Sequence, residues 1–313
     1  ATRLIPFTIH EFPSYSFVVS DVHGHVLSIP FVLLAIAMLI NIDRLSLVFY
    51  GFLVGVLLMT NALDGPIYLG LFMVLFILHK SKFIIQKILI VVSVAGLTSL
   101  PFLIHFKSFV TGVAVNCPPS FLANTKFGPL IFEGVEKCQI SPFWMWWLLW
   151  GFFIYCGFWL LSTNRTQKLL LTFFLFALVL VIVPEFFYFK DIYPAHFRSN
   201  TMFKLGYEAF ILFSIVAGYT IVASFQSKVE SQKSKVFRRV FLLFLIPQLF
   251  LISIFPIFAV RSYFNSLKRY QGIYGLNWIS REYPDDFAAI QWLQIRNSKF
   301  EIRNSQREAL VEA

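Results

Sequence analysis

Apolar positions in this chain come in long blocks rather than in the alternating or three-to-four spacing of half-buried elements. Blocks of about 20 residues without a charge near their centre recur along its length, and each is long enough to cross a bilayer as a helix. The pattern predicts about eight spanning helices, near residues 26–41, 45–60, 66–79, 83–105, 142–161, 167–187, 202–224 and 240–260. The second and third are short, which fits a small tilt or a re-entrant pair. The expected fold is an all-α integral membrane protein in three parts: an external motif segment (1–25), a polytopic domain (26–260) and an external C-terminal segment (261–313).

The polar residues between the blocks give a direction. One alternate set of connections carries Arg44, then Lys80, Lys82 and Lys87, then Arg165 and Lys168, then Lys228, Lys233, Lys235, Arg238 and Arg239. The opposite set is poorer in bases: "NALDGP" has none, the 106–140 loop spreads Lys107, Lys126 and Lys137 thinly, and 188–201 holds Lys190 and Arg198. By the positive-inside rule the first set is cytoplasmic. Both termini then face outside, and so do Glu11, Asp21, His23 and His25, Asn61 and Asp64, and the group Glu185, Lys190, Asp191, His196, Arg198 and Asn200. Polar residues of three separate segments thus share one side of the membrane, at helix ends, and a one-sided site in the plasma membrane follows.

Composition agrees. The chain of 313 residues is 58% hydrophobic and 19% aromatic with 13% charged, about half the charge of an ordinary soluble domain. The net charge of +10 reflects loop bias and a basic tail, so no nucleic-acid partner is expected; the bilayer is the partner. Cys156 lies in an apolar block as a packing residue. Cys117 and Cys138 share one loop, and whether they pair depends on the compartment it faces.

"SDVHGHV" places Asp21, His23 and His25 at i, i+2 and i+4. Extended, all three share a face and suit a divalent metal; helical, only Asp21 and His25 do. Asp21 also reads as a helix cap. In "NALDGPIY" the Asp64-Gly65-Pro66 run is a turn signal, yet Asn61 and Asp64 stand between short spans with no basic partner, which is costly unless a cavity or partner receives them. In "PEFFYFKDIYPAHFRSNTMFKLGYEAF", Lys204 and Glu208 are spaced to pair on one helix face, while Arg198, Asn200 and Lys204 bracket a helix start suited to phosphate. Structural ion pairing is the alternative there. The 106–140 loop reads as a lid or interfacial loop. Near the C-terminus, Asp285 or Asp286 caps an amphipathic helix presenting Phe287, Ile290 and Leu293. "IRNSKFEIRNS" repeats four residues after seven without making a coiled coil. The chain opens almost inside a motif, so a fragment of a longer protein is expected.

These motifs resemble the YYY family of uncharacterised polytopic membrane proteins. Glu11-Phe12-Pro13, Ser16-Phe17 and Asp21, His23, His25 match its opening signature, with Gly24 where the family usually has Pro. Asn61, Asp64, Pro66 and Tyr68 match a second motif, with Ile67 for Thr; Arg198, Asn200, Thr201, Phe203 and Lys204 match a third. The layout is similar to the glycosyltransferase C superfamily, which moves sugars from polyprenyl-phosphate donors at the outer membrane face. Members of the YYY family usually have further N-terminal spans. The resemblance implies a polyprenyl-phosphate sugar donor as partner. On that reading Asp21, or with less support Glu11, is the catalytic base, and Arg198, Lys204, Asn200, Asn61, Asp64 and Tyr68 bind substrate. His23 and His25 orient the base or hold a divalent metal. A transporter or lipid flippase, and a non-enzymatic envelope assembly protein, remain as alternatives.

Overall fold

The apolar blocks become helices in the computed structural model, which describes residues 11–41, 46–108, 110–162, 167–190, 197–226, 232–268 and 276–301. Two short helices, α1 (Pro13–Val18) and α2 (Gly24–Leu27), lead into α3 (Ile29–Ile40), α4 (Leu47–Thr60), α5 (Asp64–Leu78) and α6 (Ile84–Leu103). Three strands follow, β1 (Gly112–Val115), β2 (Lys126–Phe127) and β3 (Leu130–Phe132). The chain continues through α7 (Phe143–Ser162), α8 (Lys168–Phe186), β4 (Phe187–Lys190), α9 (Ser199–Gln226), α10 (Gln232–Tyr263), α11 (Leu276–Glu282) and α12 (Pro284–Glu301). Arg44, Arg165, Lys228, Asp191, His196 and the second copy of the four-residue repeat lie outside the described residues.

Each predicted block carries a helix. Five of these helices are long and apolar enough to cross a membrane: α6, α7, α8, α9 and the Arg238–Tyr263 part of α10. The other three, Gly24–Ile40, Leu47–Thr60 and Asp64–Leu78, are apolar but shorter. The all-α expectation is corrected in one place. β2, β3, β1 and β4 form a four-stranded sheet, in which β1 runs parallel to β3 and antiparallel to β4. The strands escape a periodicity reading because they hold only two to four residues each. A two-residue connection containing Gly128, at φ +57°, closes the β2–β3 hairpin as such turns require. Cys117 and Cys138 are joined by a disulfide, so the 106–140 segment is a stapled, folded cap rather than an open loop.

The chain divides into two units, Ala1–Ser253 and Ile254–Ala313. In the first, α4 packs on α6, while α8 and α7 pack on α9. Gly51 and Gly55 make the α4–α6 contact close. A Cβ at Gly51 would lie 2.9 Å from the Val91 carbonyl oxygen, and one at Gly55 would lie 2.7 Å from Thr98 Cβ. This is the small-xxx-small spacing by which apolar helices approach where no hydrophobic drive separates helix from lipid. Aromatic rings fill the rest of the core: Phe153 stacks on Phe213, and Trp150 meets Phe213 at 5.8 Å. In the second unit, α11 packs against α12, whose first turn carries Asp285 and Asp286 at the positive helix end.

Candidate functional site

The N-terminal motif is held in place by its apolar members. Phe12 docks edge-on to Trp150 of α7 and lies 4.9 Å from Phe210 of α9. Pro13 then starts α1, where its missing N–H is no loss. The chain leaves α1 through Ser20 at φ 56°, and Asp21 N–H donates back to the Ser16 carbonyl at 2.9 Å. That reversal brings Asp21 beneath Glu11. At α2 the backbone of Gly24 comes so close to α4 that a Cβ would lie 2.2 Å from the Thr60 carbonyl oxygen. His25, wedged edge-on against Phe203 and Tyr207 of α9, is buried.

These segments frame a cavity of about 840 Å³. Its polar lining comes from all three motifs: Glu11, Asp21, His23 and His25; Asn61; and Ser199, Asn200, Thr201 and Lys204. Leu58, Met59, Phe102, Phe106, Phe189 and Phe203 supply apolar wall. The first turn of α9 therefore borders the cavity, and the positive end of the helix dipole favours an anion there.

Within the cavity, donor atoms of Glu11, Asp21 and His25 lie within 4.8 Å of one another. His25 Nε2 stands 3.2 Å from Asp21 Oδ2, and His23 Nδ1 bonds Asp21 Oδ1. His23 is 77% exposed and does not belong to the three-donor group. Burial, then the Asp21 charge, raises the Glu11 carboxyl above its usual range. For Asp21 burial works in the same sense, but the His23 hydrogen bond and charge outweigh it and lower the pKa. His23 is raised in turn by that bond and by the Asp21 charge. Both shifts have the Asp21–His23 contact among their causes.

Residues 1–163 and 140–213 match the profile of a family described as uncharacterized membrane protein (DUF2298). The chain belongs to this family. No curated protein and no solved structure matches it. The DUF2298 description carries no activity, so the chemistry of this member rests on its own residues.

Not every expected residue reaches the cavity. Arg198, 1% exposed, is turned into the protein, where Nη1 bonds Glu185 Oε2 at 2.7 Å. Glu185 also accepts from Ser141 N–H at 2.9 Å, from the Ser141 hydroxyl and from Trp146 Nε1. Arg198 therefore sits in the ion-pair arrangement that the sequence left as the alternative to phosphate binding. Asp64 and Tyr68 are fully buried below Asn61, whose Nδ2 donates to Asp64 Oδ1 at 2.7 Å. Tyr68 hydroxyl donates to Glu208 Oε2 at 2.6 Å. Asn61 thus links the cavity wall to the buried Asp64 carboxyl. Lys190 bonds Glu133 of the cap, together with Lys137. Glu133 is the residue that sequence reasoning missed. It follows a strand too short to register, and nothing local marks it.

Proposed function

We propose that this DUF2298 member is a membrane glycosyltransferase that uses a polyprenyl-phosphate-linked sugar at the outer face of the plasma membrane. The observation that carries the reading is the single cavity in which a carboxylate pair faces a lysine and a helix N-terminus across apolar walls. A lipid phosphate needs that combination: apolar surface for the prenyl chain, fixed positive charge for the leaving group. Asp21 takes the proton of an acceptor hydroxyl as the acceptor oxygen bonds the sugar C1. The bond from C1 to the phosphate oxygen breaks, and the electron pair leaves with the phosphate. Lys204, Asn200 and the first turn of α9 stabilise the charge that develops. Glu11 is the second candidate for the base.

An outward orientation draws support from the disulfide. Ser108 and Val110 line the cavity and lead into β1, and Cys117 follows that strand directly. A persistent disulfide belongs to an oxidising compartment, which supports a reading with cap and cavity together outside.

The test offers the chain in native-like membranes a panel of labelled polyprenyl-phosphate sugars. Label transfer that falls at least about 100-fold in Asp21→Asn, with unchanged melting, is the expected result. No transfer from any donor by folded, correctly oriented protein would sink the reading. A transporter or lipid flippase is the second reading, favoured by one observation: Asp64, Tyr68 and Glu208 are polar groups buried inside the helices, with Tyr68 bonded to Glu208. Solute movement lost in Glu208→Gln, without sugar transfer, would select it.

A further inference from the structure

We propose that Glu11, Asp21 and His25 form a binding site for a first-row divalent cation of the Mn²⁺ or Zn²⁺ class. The proposal differs in its donors from the histidine pair read off the sequence: it takes Glu11, which stands before α1, and leaves His23 outside.

Three observations carry it. The first is spacing. Ligands bound at about 2.1 Å on opposite sides of an ion stand about 4.2 Å apart, and those on adjacent positions about 3 Å. Donors of all three side chains fall within 4.8 Å of one another, so shifts of up to about 1 Å per side chain would close the set.

The second is an orphaned atom. His25 is only 8% exposed, and its Nε2 has no hydrogen-bond partner. It points at Asp21 Oδ2 from 3.2 Å without hydrogen-bond alignment. A buried imidazole nitrogen left this way is costly, and its approach to the carboxylate is that of neighbouring ligands on one ion. The ring cannot turn to seek another partner, because Phe203 and Tyr207 hold it edge-on.

The third is access and charge. The donors line the 840 Å³ cavity, which leaves coordination positions for water or an oxygen ligand. Two carboxylates at this range repel, and a dication removes the conflict. One imidazole with two carboxylates is a mixed nitrogen and oxygen set; imidazole argues against Mg²⁺ or Ca²⁺, and the absence of thiolate argues against Cu⁺. His23, bonded to Asp21 Oδ1, is the positioning residue that fixes the carboxylate's second oxygen.

The site deepens the transferase reading, because the ion would lie where the acceptor hydroxyl loses its proton. Its test does not depend on that reading. The full chain in detergent is stripped with EDTA and titrated with Mn²⁺, followed by electron paramagnetic resonance. One saturable ion per chain is expected, with the spin-echo modulation of one coordinated ¹⁴N and displacement by Zn²⁺. His25→Ala removes the nitrogen modulation and weakens binding by at least about 100-fold; His23→Ala keeps the modulation and weakens binding about tenfold. Glu11→Gln, at the cavity lining, weakens binding without touching either histidine and serves if His25→Ala fails to fold. Absence of saturable binding, or nitrogen modulation that survives in His25→Ala, would overturn the site. Loss of sugar transfer with metal binding intact would instead count against the transferase reading alone.

Discussion

Asp21 and Glu185 are both carboxylates near the end of an apolar helix, and both lie beside a basic side chain. Their surroundings are otherwise opposite. Glu185 is buried and receives Arg198, the Ser141 hydroxyl and N–H, and Trp146. Asp21 lines an 840 Å³ cavity and has an exposed histidine on one oxygen and an unsatisfied buried one near the other. A saturated carboxylate has no lone pair left for a substrate. An unsaturated one beside space does. Charge at a helix end is common to both, so charge alone does not distinguish scaffold from site; saturation does.

The largest expected effect breaks the saturated side. Arg198→Met leaves Glu185 buried without its cation and should lower stability by about 3–5 kcal/mol, read as a fall in melting temperature of the purified chain. Donor KM measured on the folded fraction should not move. A raised KM with intact melting would return Arg198 to phosphate binding and erase the contrast.

A smaller change sharpens it. Tyr68→Phe removes the hydroxyl that meets Glu208 Oε2 at 2.6 Å inside the helices, leaving a buried acceptor unpaired at about 1–3 kcal/mol. Melting should fall by an amount between that of Arg198→Met and that of a surface variant. Loss of solute transport with unchanged melting would make Tyr68 a path residue instead.

The smallest effect concerns Glu133, whose cations Lys137 and Lys190 are part-exposed. Burial opposes its ionisation, but the hydrogen bonds from Lys190 and then Lys137 prevail and hold its pKa below the ordinary 4.5. A carboxyl lowered on folding stabilises the protein above its unfolded pKa, and that contribution disappears as pH falls through the folded value. Wild type should therefore lose its melting advantage over Glu133→Gln on acidification below about pH 4.5. The advantage near neutrality should be under about 1 kcal/mol, as expected for exposed partners. An advantage that persists at acid pH would mean the ion pairs contribute nothing.

Much of the site could be read from the chain because polar residues stood out against long apolar blocks. Asp21, His25, Asn61, Asn200 and Lys204 were all visible as interruptions at block ends, and the cavity gathers them. Arg198 looked identical by that criterion. Its burial depends on Ser141 and Glu185, and Ser141 is 44 residues from Glu185 in sequence. The cap was illegible for a different reason: strands of two to four residues carry no period, and their pairing is settled by Gly128 and by the distant β4. Gly51 and Gly55 were in plain view, but α4 is apolar all round, so nothing in its sequence says which side meets α6.

Gly24 lets two segments of the site meet backbone to backbone. With the Thr60 carbonyl 2.2 Å from where a Cβ would stand, any side chain at position 24 must push the end of α4 away. Asn61 follows immediately, so the histidines and the asparagine would separate together and the cavity mouth would widen. A Gly24→Ala variant should therefore hold these segments further apart. Position 24 is thus a gauge of how wide the cavity mouth can stand.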